Sequence, residues 1–289
     1  MRKTTSKTLK AALLAGAAAL GLAGAAQAAS LAEIQESGTI RIAVANEIPY
    51  GYVDPVSGET MGAGPDVAKH IVEQLGIENI EWVTTEFSSL IPGLQADRFD
   101  MVAAEMAIIP TRCATVIYSE PNTSYGEGLL VPAGNPEGLN SYEQFAENSD
   151  LTVAIMAGAN QLDMFQALGV AENQLVTISS NADAISTVST GRADAYAATG
   201  LTASELAGQS DAVEVAEGFT DPVIDGEEQR SWGGFVFAQG NEELRDAVNE
   251  VLAEYKQTPE WEEVVTGYGF TDADVSRSFD MTTADLCGE

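Results

Sequence analysis

The sequence predicts an α/β protein built as two lobes. Three observations carry that reading: strand-like apolar runs alternate with helix-length amphipathic stretches, the alternation occurs twice, and Pro/Gly-rich extended segments mark the passages between copies. In the first copy TIRIAVAN (39–46) reads as a strand and PDVAKHIVEQLG (65–76) as a helix, opened by Pro and Asp and closed by Gly76. IEWVTTEF (80–87) reads as a second strand, SSLIPGLQADR (88–98) as a second helix and FDMVAAEM (99–106) as a third strand. The β-α-β-α-β order makes a parallel sheet the expected outcome.

In the second copy LTVAIMAGAN (151–160) is strand-like, QLDMFQALG (161–169) and NADAISTVSTGR (181–192) are helical, and ADAYAATG (193–200) is strand-like. Aligning LQADRFDMVAA (94–104) with VSTGRADAYAA (188–198) superposes Arg98 on Arg192 and Asp100 on Asp194 without a gap. A match this short also arises by chance; similar wiring in two lobes is the better account. The segments 119–136 and 220–240 read as the passages between lobes, and 241–256 and 258–269 as amphipathic helices that return to the first. The expected division is therefore 38–122 with 236–289 in lobe 1, and 126–232 in lobe 2. A ligand would sit between them, where the carboxyl ends of parallel strands face each other.

The first residues bear on the compartment. MRKTTSKTLK carries four basic residues, AALLAGAAALGL is too short for a spanning helix, and AGAAQAAS ends an A-x-A pattern at Ala28. This predicts a signal peptide over 1–28, cleaved near Ala28 or Ala29; an N-terminal membrane anchor is the alternative. Cleavage would remove Arg2, Lys3, Lys7 and Lys10 and no acid, leaving 9 basic residues against 44 acidic ones, a formal charge of −35. Such a surface disfavours nucleic acid and anionic lipid as partners. Cys113 and Cys287 are the only cysteines: either they form one bridge fastening the C-terminal tail to the body, the favoured reading, or each is a free thiol. With His70 the only histidine and no Cys/His cluster, no metal site is expected.

Several spaced segments together resemble the periplasmic solute-binding proteins of ABC importers for polar amino acids, family 3. They are the exported leader, TIRIAVANEIPYGYVD, SLIPGLQADRFDMVAAEM followed by IIPTRC, YSEPNTSYGEGLLVP, and NEELRDAVNEVLAEYKQTPEWEEVVTGYGF. NEIPYGY, TEFSSLIPGL, the PxRC ending and GRADAYAATGLT look most like the ectoine/hydroxyectoine-binding branch. The resemblance covers nearly all of 38–272. It implies a type II periplasmic-binding-protein fold, two α/β lobes joined by two crossover segments with the cleft between them. It also implies a monomer in the periplasm that delivers a small zwitterionic solute to a membrane permease, without cofactor or catalytic residue. Amino-acid binders of this family usually place an Asp where Thr199 stands, to meet the ligand's α-ammonium; ectoine, a cyclic amidine, has no such group. Where the ectoine binders read Gly, an aromatic and Ile-Thr before the Pro, this chain has Glu105, Ala107 and Ile109.

For the site the resemblance implies Arg112 on a carboxylate, with Pro110-Thr111 starting a helix beside the same anion. Taken alone, an Arg after a Pro is commonly a solvated helix-start residue. Glu47 would accept the N–H donors of a protonated amidine, although a lone loop Glu is usually just solvated. Tyr50 and Phe87 are the candidate stacking rings, with Phe87 equally suited to a core, and Tyr52 and Trp232 follow as further aromatics. Asn160, within GANQ (158–161), would complete the carboxylate site from the second lobe, and Thr199 would line the opposite wall. Glu105 either faces the cleft, where it would suit a larger or more cationic guest, or caps the strand end in solvent, and Ala107 leaves one wall without an aromatic. The rival from another class is an enzyme on the same scaffold, such as a cyclohexadienyl-type dehydratase. No nucleophile-base pairing is visible, and 44 acids offer no usable spacing.

Overall fold

The structure is a computed structural model that describes residues 28–288. The signal-peptide reading falls almost wholly on residues outside that range. Lobe 1 opens with α1 (Leu31–Ser37) and β1 (Thr39–Val44), then a small hairpin of β2 (Tyr52–Val53) and β3 (Thr60–Met61). Next come α2 (Ala63–Gln74), β4 (Asn79–Thr84), α3 (Leu90–Gln95), β5 (Met101–Ala107), α4 (Pro110–Cys113), β6 (Val116–Tyr118) and β7 (Thr123–Tyr125). Lobe 2 holds β8 (Glu127–Pro132), α5 (Glu143–Glu147), β9 (Val153–Met156), α6 (Gln161–Ala167), β10 (Leu175–Ile178), α7 (Ala184–Ser189), β11 (Ala195–Thr199), α8 (Gly200–Ala207) and β12 (Val213–Val215). A hairpin of β13 (Val223–Ile224) and β14 (Glu227–Glu228) precedes the return strand β15 (Ser231–Ala238). The helices α9 (Glu242–Tyr255), α10 (Pro259–Gly267), α11 (Asp272–Arg277) and α12 (Thr283–Cys287) end the chain.

The first sheet runs β4-β1-β5-β15-β6, with β7 also paired to β15, and the second runs β10-β9-β11-β8-β12. The two lobes share one wiring. In each, three strands linked by helices are parallel, and a fourth strand that arrives from the other lobe is antiparallel to the third: β15 beside β5, and β8 beside β11. The three strands of the β-α-β-α-β unit are parallel as expected, and the fourth makes each sheet mixed. The reason is directional: β5 runs toward the cleft, and a chain that enters at the cleft must run away from it, which needs no helical crossover.

The segments read as passages are core strands as well. Ser231 pairs with Tyr125, so first-sheet pairing extends to Tyr125 and resumes at Ser231, not at the expected 122 and 236. The Asp of the internal repeat serves one purpose twice. Asp100 accepts the Arg41 N–H at 2.8 Å, and Asp194 accepts the Thr152 N–H at 2.7 Å, each tying the start of a central strand to its neighbour.

Helix α2 buries Val67, Ala68, Ile71 and Val72 on one face, against β5 and the partly polar α9 and α10, which bury Leu244, Val248, Leu252, Trp261 and Val265. The tail folds back across both passages. Ser124 Oγ donates to Asp274 O at 2.8 Å, Arg230 pairs with Asp274, and Trp232 Nε1 donates to Arg277 O at 2.8 Å. A disulfide joins Cys287 to Cys113, the residue after Arg112. Among the described residues no helix is long and apolar enough to cross a membrane, and no cluster of His, Cys, Asp or Glu is arranged to hold a metal ion.

Candidate functional site

The carboxyl ends of the parallel strands meet between the lobes, as the fold requires. The turn after β1 supplies Glu47 and Tyr50, the 3-10 turn after β4 supplies Phe87, and β5 ends in Ala104, Glu105 and Ala107; all of these line one interlobe cavity. From the second lobe, the end of β9 and the turn after it supply Met156, Asn160 and Gln161, and β11 supplies Tyr196 and Thr199. Tyr125, at the end of β7, closes the floor.

Glu47 is 8% exposed, and its Oε1 accepts the Thr202 hydroxyl of the other lobe at 3.0 Å. Burial raises its pKa; the neighbouring Asn181 side chain and the Thr202 hydroxyl work against the rise. Tyr196 donates to Asn181 Oδ1, and Asn181 Nδ2 is buried without a hydrogen-bond partner in the chain. Tyr50 reaches across the same gap, its hydroxyl donating to Thr199 Oγ1 at 2.7 Å, and its ring packs 5.2 Å from that of Tyr125. Burial pushes the Tyr50 phenol well above its ordinary range, so it stays a donor. Thr199 does double duty, because its Oγ1 also accepts the Thr202 N–H at 3.2 Å and so caps α8.

Arg112 sits on the four-residue helix α4, buried at the rim beside the cavity and outside its lining residues. Its guanidinium lies 5.5 Å from the Phe87 ring centroid. Nη1 donates to Ala107 O at 2.8 Å, and Nη2 crosses to Gly158 O of the second lobe at 2.9 Å. The backbone amides of Arg112 and Cys113 both donate to Ile109 O. Asn160 Nδ2 donates to Ser231 Oγ at 3.2 Å, across the passage between lobes.

Glu105 departs from the solvent-capping reading: it is 2% exposed. It has φ 46°, opposite a register shift in β15, and its carboxylate accepts Asn122 Nδ2 at 2.7 Å and the Thr123 hydroxyl. Burial raises its pKa, with Lys256 pulling the other way. Gly233 is required opposite it, since a Cβ there would stand 2.8 Å from both Glu105 O and Oε2. Both oxygens of Glu105 are thus spent on the fold. Tyr52 lies in the β2–β3 hairpin and Trp232 bonds to the C-terminal tail; neither lines the cavity.

Four residues of the site were not singled out by the sequence: Gln161, Tyr196, Asn181 and, behind the wall, Glu127. Glu127 is 5% exposed and accepts Gln161 Nε2 at 2.6 Å. Gln161 ends the GANQ segment already weighed for Asn160, whereas one more acid among 44 gave Glu127 no signal.

Together these groups can hold a small dipolar molecule between a carboxylate and a guanidinium, against aromatic faces. Comparisons agree with this architecture. The family model "Bacterial extracellular solute-binding proteins, family 3" matches residues 40–271. A probable amino-acid ABC transporter periplasmic-binding protein of Sinorhizobium fredii is 55% identical over 276 residues, covering 94% of this chain and 91% of that one. The crystal structure of EhuB in complex with hydroxyectoine superposes with a TM-score of 0.80 at 32% identity, covering 89% of this chain and 97% of that one. An ancestral amino-acid-binding protein, AncCDT-1, a precursor of cyclohexadienyl dehydratase, superposes with a TM-score of 0.71 at 28% identity, covering 83% and 99%. The chain belongs to the bacterial extracellular solute-binding proteins of family 3.

Proposed function

We propose that this protein is the periplasmic solute-binding component of an amino-acid-type ABC importer, acting as a monomer, and that its solute is a compact zwitterion with a delocalised cation, ectoine or hydroxyectoine. The observation that carries the reading is Glu47 and Arg112 set around one cavity with the rings of Tyr50 and Phe87. Glu47 suits the amidinium N–H donors, and the rings suit its flat face. Arg112 suits the carboxylate, exchanging one of its carbonyl partners for the stronger charge-assisted bond. Thr199 offers a hydroxyl where a free α-ammonium would call for a carboxylate. The engagement of Glu105 by Asn122 and Thr123 weighs against a larger or more cationic guest. The hydroxyectoine complex of the EhuB structure and the transporter name of the Sinorhizobium relative support the same reading.

Binding would break no bond. The lobes desolvate the solute together, and the shut form is what a permease would recognise. A thermal-shift and calorimetric panel of ectoine, hydroxyectoine, glycine betaine, arginine and glutamine tests it. Ectoine or hydroxyectoine is expected to give the largest rise in Tm and the tightest Kd. A panel in which arginine or glutamine wins, with neither ectoine registering, would overturn the solute assignment while leaving the transport role.

A further inference from the structure

Glu127 is a buried acid whose contacts join the second lobe to both passages between lobes. It opens β8 where the first passage enters the second lobe, one residue past Gly126. Its carboxylate accepts Gln161 Nε2 at 2.6 Å and Tyr142 Oη at 3.2 Å within the second lobe, and Ser231 Oγ, the first residue of β15, at 3.4 Å. Gln161 and Ser231 donate to this carboxylate and the single Tyr142 proton is shared among Glu127, Gly128 O and Ala198 O, an arrangement that suits an ionised acceptor. The bond from Gln161 orients its amide: one Nε2 hydrogen goes to Glu127, and Oε1, on the other side of the amide, is available to the cavity that Gln161 lines.

We propose that Glu127 is a positioning residue for binding, which orients the Gln161 amide so that the second-lobe wall presents a carbonyl oxygen and selects solutes carrying an N–H or O–H donor at that end. The inference rests on reading the cleft as a solute site. Protonating Glu127 replaces an acceptor by a donor. The Gln161 amide then gains by turning Oε1 toward Glu127 and Nε2 toward the cavity, which inverts the preference of the wall.

The surroundings make that proton accessible near neutrality. Burial, the largest cause, raises Glu127 from an ordinary 4.5 to about 7; Asp221 adds to the rise, while Gln161, Tyr142 and Ser231 oppose it. Asp221, itself half-buried, accepts the Glu127 N–H at 2.7 Å and has Arg230 and Arg277 as its nearest cations. Tyr50, Tyr125 and Tyr142 also feel the Glu127 charge, and burial keeps each protonated. The carbonyl-presenting form is therefore present above about 7 and is lost as pH falls through that value.

Two measurements on the full mature chain decide the matter. In 15N-labelled protein the Gln161 side-chain amide signals, assigned with Gln161→Leu, are expected to titrate with a midpoint near 7 and to stop titrating in Glu127→Gln. In calorimetry with hydroxyectoine, ectoine and arginine as probes, wild-type affinity is expected to fall about tenfold as pH drops from about 8 to about 6. Glu127→Gln should lose that pH dependence and sit between the two wild-type extremes; Gln161→Leu should lose about tenfold at high pH. A variant Glu127→Gln that merely melts earlier while keeping the wild-type pH profile overturns the proposal, as do Gln161 signals that ignore pH. If no probe binds the wild type, the solute reading falls while the amide titration still decides the pairing. If a probe binds and the amide does not titrate, the pairing falls alone.

Discussion

Around the cavity, the first lobe sets a carboxylate and two rings, from Glu47, Tyr50 and Phe87, with the Arg112 guanidinium at the rim, whereas the second sets uncharged amides and a hydroxyl, from Asn160, Gln161 and Thr199, with the Thr202 hydroxyl bonded to Glu47. The contrast assigns different work to the two walls. On the proposed reading, charge complementarity and stacking would act before closure, on a solute lodged in one lobe. Neutral hydrogen bonds act only once the lobes meet, as Thr202 to Glu47 and Tyr50 to Thr199 already show between protein groups. Closure then costs no second desolvated charge facing the ligand, which would be expensive unless paired.

The largest effects should come from the charged wall. Arg112→Ala and Glu47→Ala are each expected to weaken binding of the best panel solute by about 2–5 kcal/mol, measured by calorimetry, because each strands an oppositely charged group of the solute. An unchanged Kd for either would break the contrast at its root. Glu105→Ala sharpens it from within the same lobe. That acid holds Asn122 and Thr123, so the substitution should cost about 3 kcal/mol of unfolding stability in urea with little change in Kd per folded molecule.

Stability against pH comes next. Folding raises the pKa of Glu127, so its contribution is whole below the ordinary value of 4.5 and is lost as pH climbs through about 7. The gap in unfolding free energy between pH 5 and pH 8 should accordingly shrink by about 2–3 kcal/mol in Glu127→Gln relative to wild type. Smallest is Thr199→Val, which removes the Tyr50 partner and the α8 cap together and should cost about 1–2 kcal/mol in stability and under tenfold in affinity. If Thr199→Val hurt binding as much as Arg112→Ala, the division of labour between walls would be wrong.

The parallel part of each sheet was legible because its apolar runs and capped helices obey local rules, as in the helix written 65–76 and found at Ala63–Gln74. The antiparallel strands were not, because β15 spells SWGGFVFA, whose Gly233 answers to the crowding of Glu105 and not to any turn. In the site, Glu47, Tyr50 and Phe87 stood out through spacing shared with relatives. Glu105 stayed open between cleft and solvent because its exposure depends on Asn122 and Thr123, which a strand-end position does not disclose. Gln161 and Glu127 are 34 residues apart and meet only through the second sheet, a pairing that no local pattern encodes.

The placement of β15 between β5 and β6 has a consequence for how the chain assembles. Everything the second sheet needs is contiguous and can zip up as soon as Val215 has emerged, but the earlier half must wait with an unfilled slot until residues 231–238 are delivered. The portion made first is thus finished last, and the guanidinium turn is secured only when the cysteine that ends the last helix arrives to staple it.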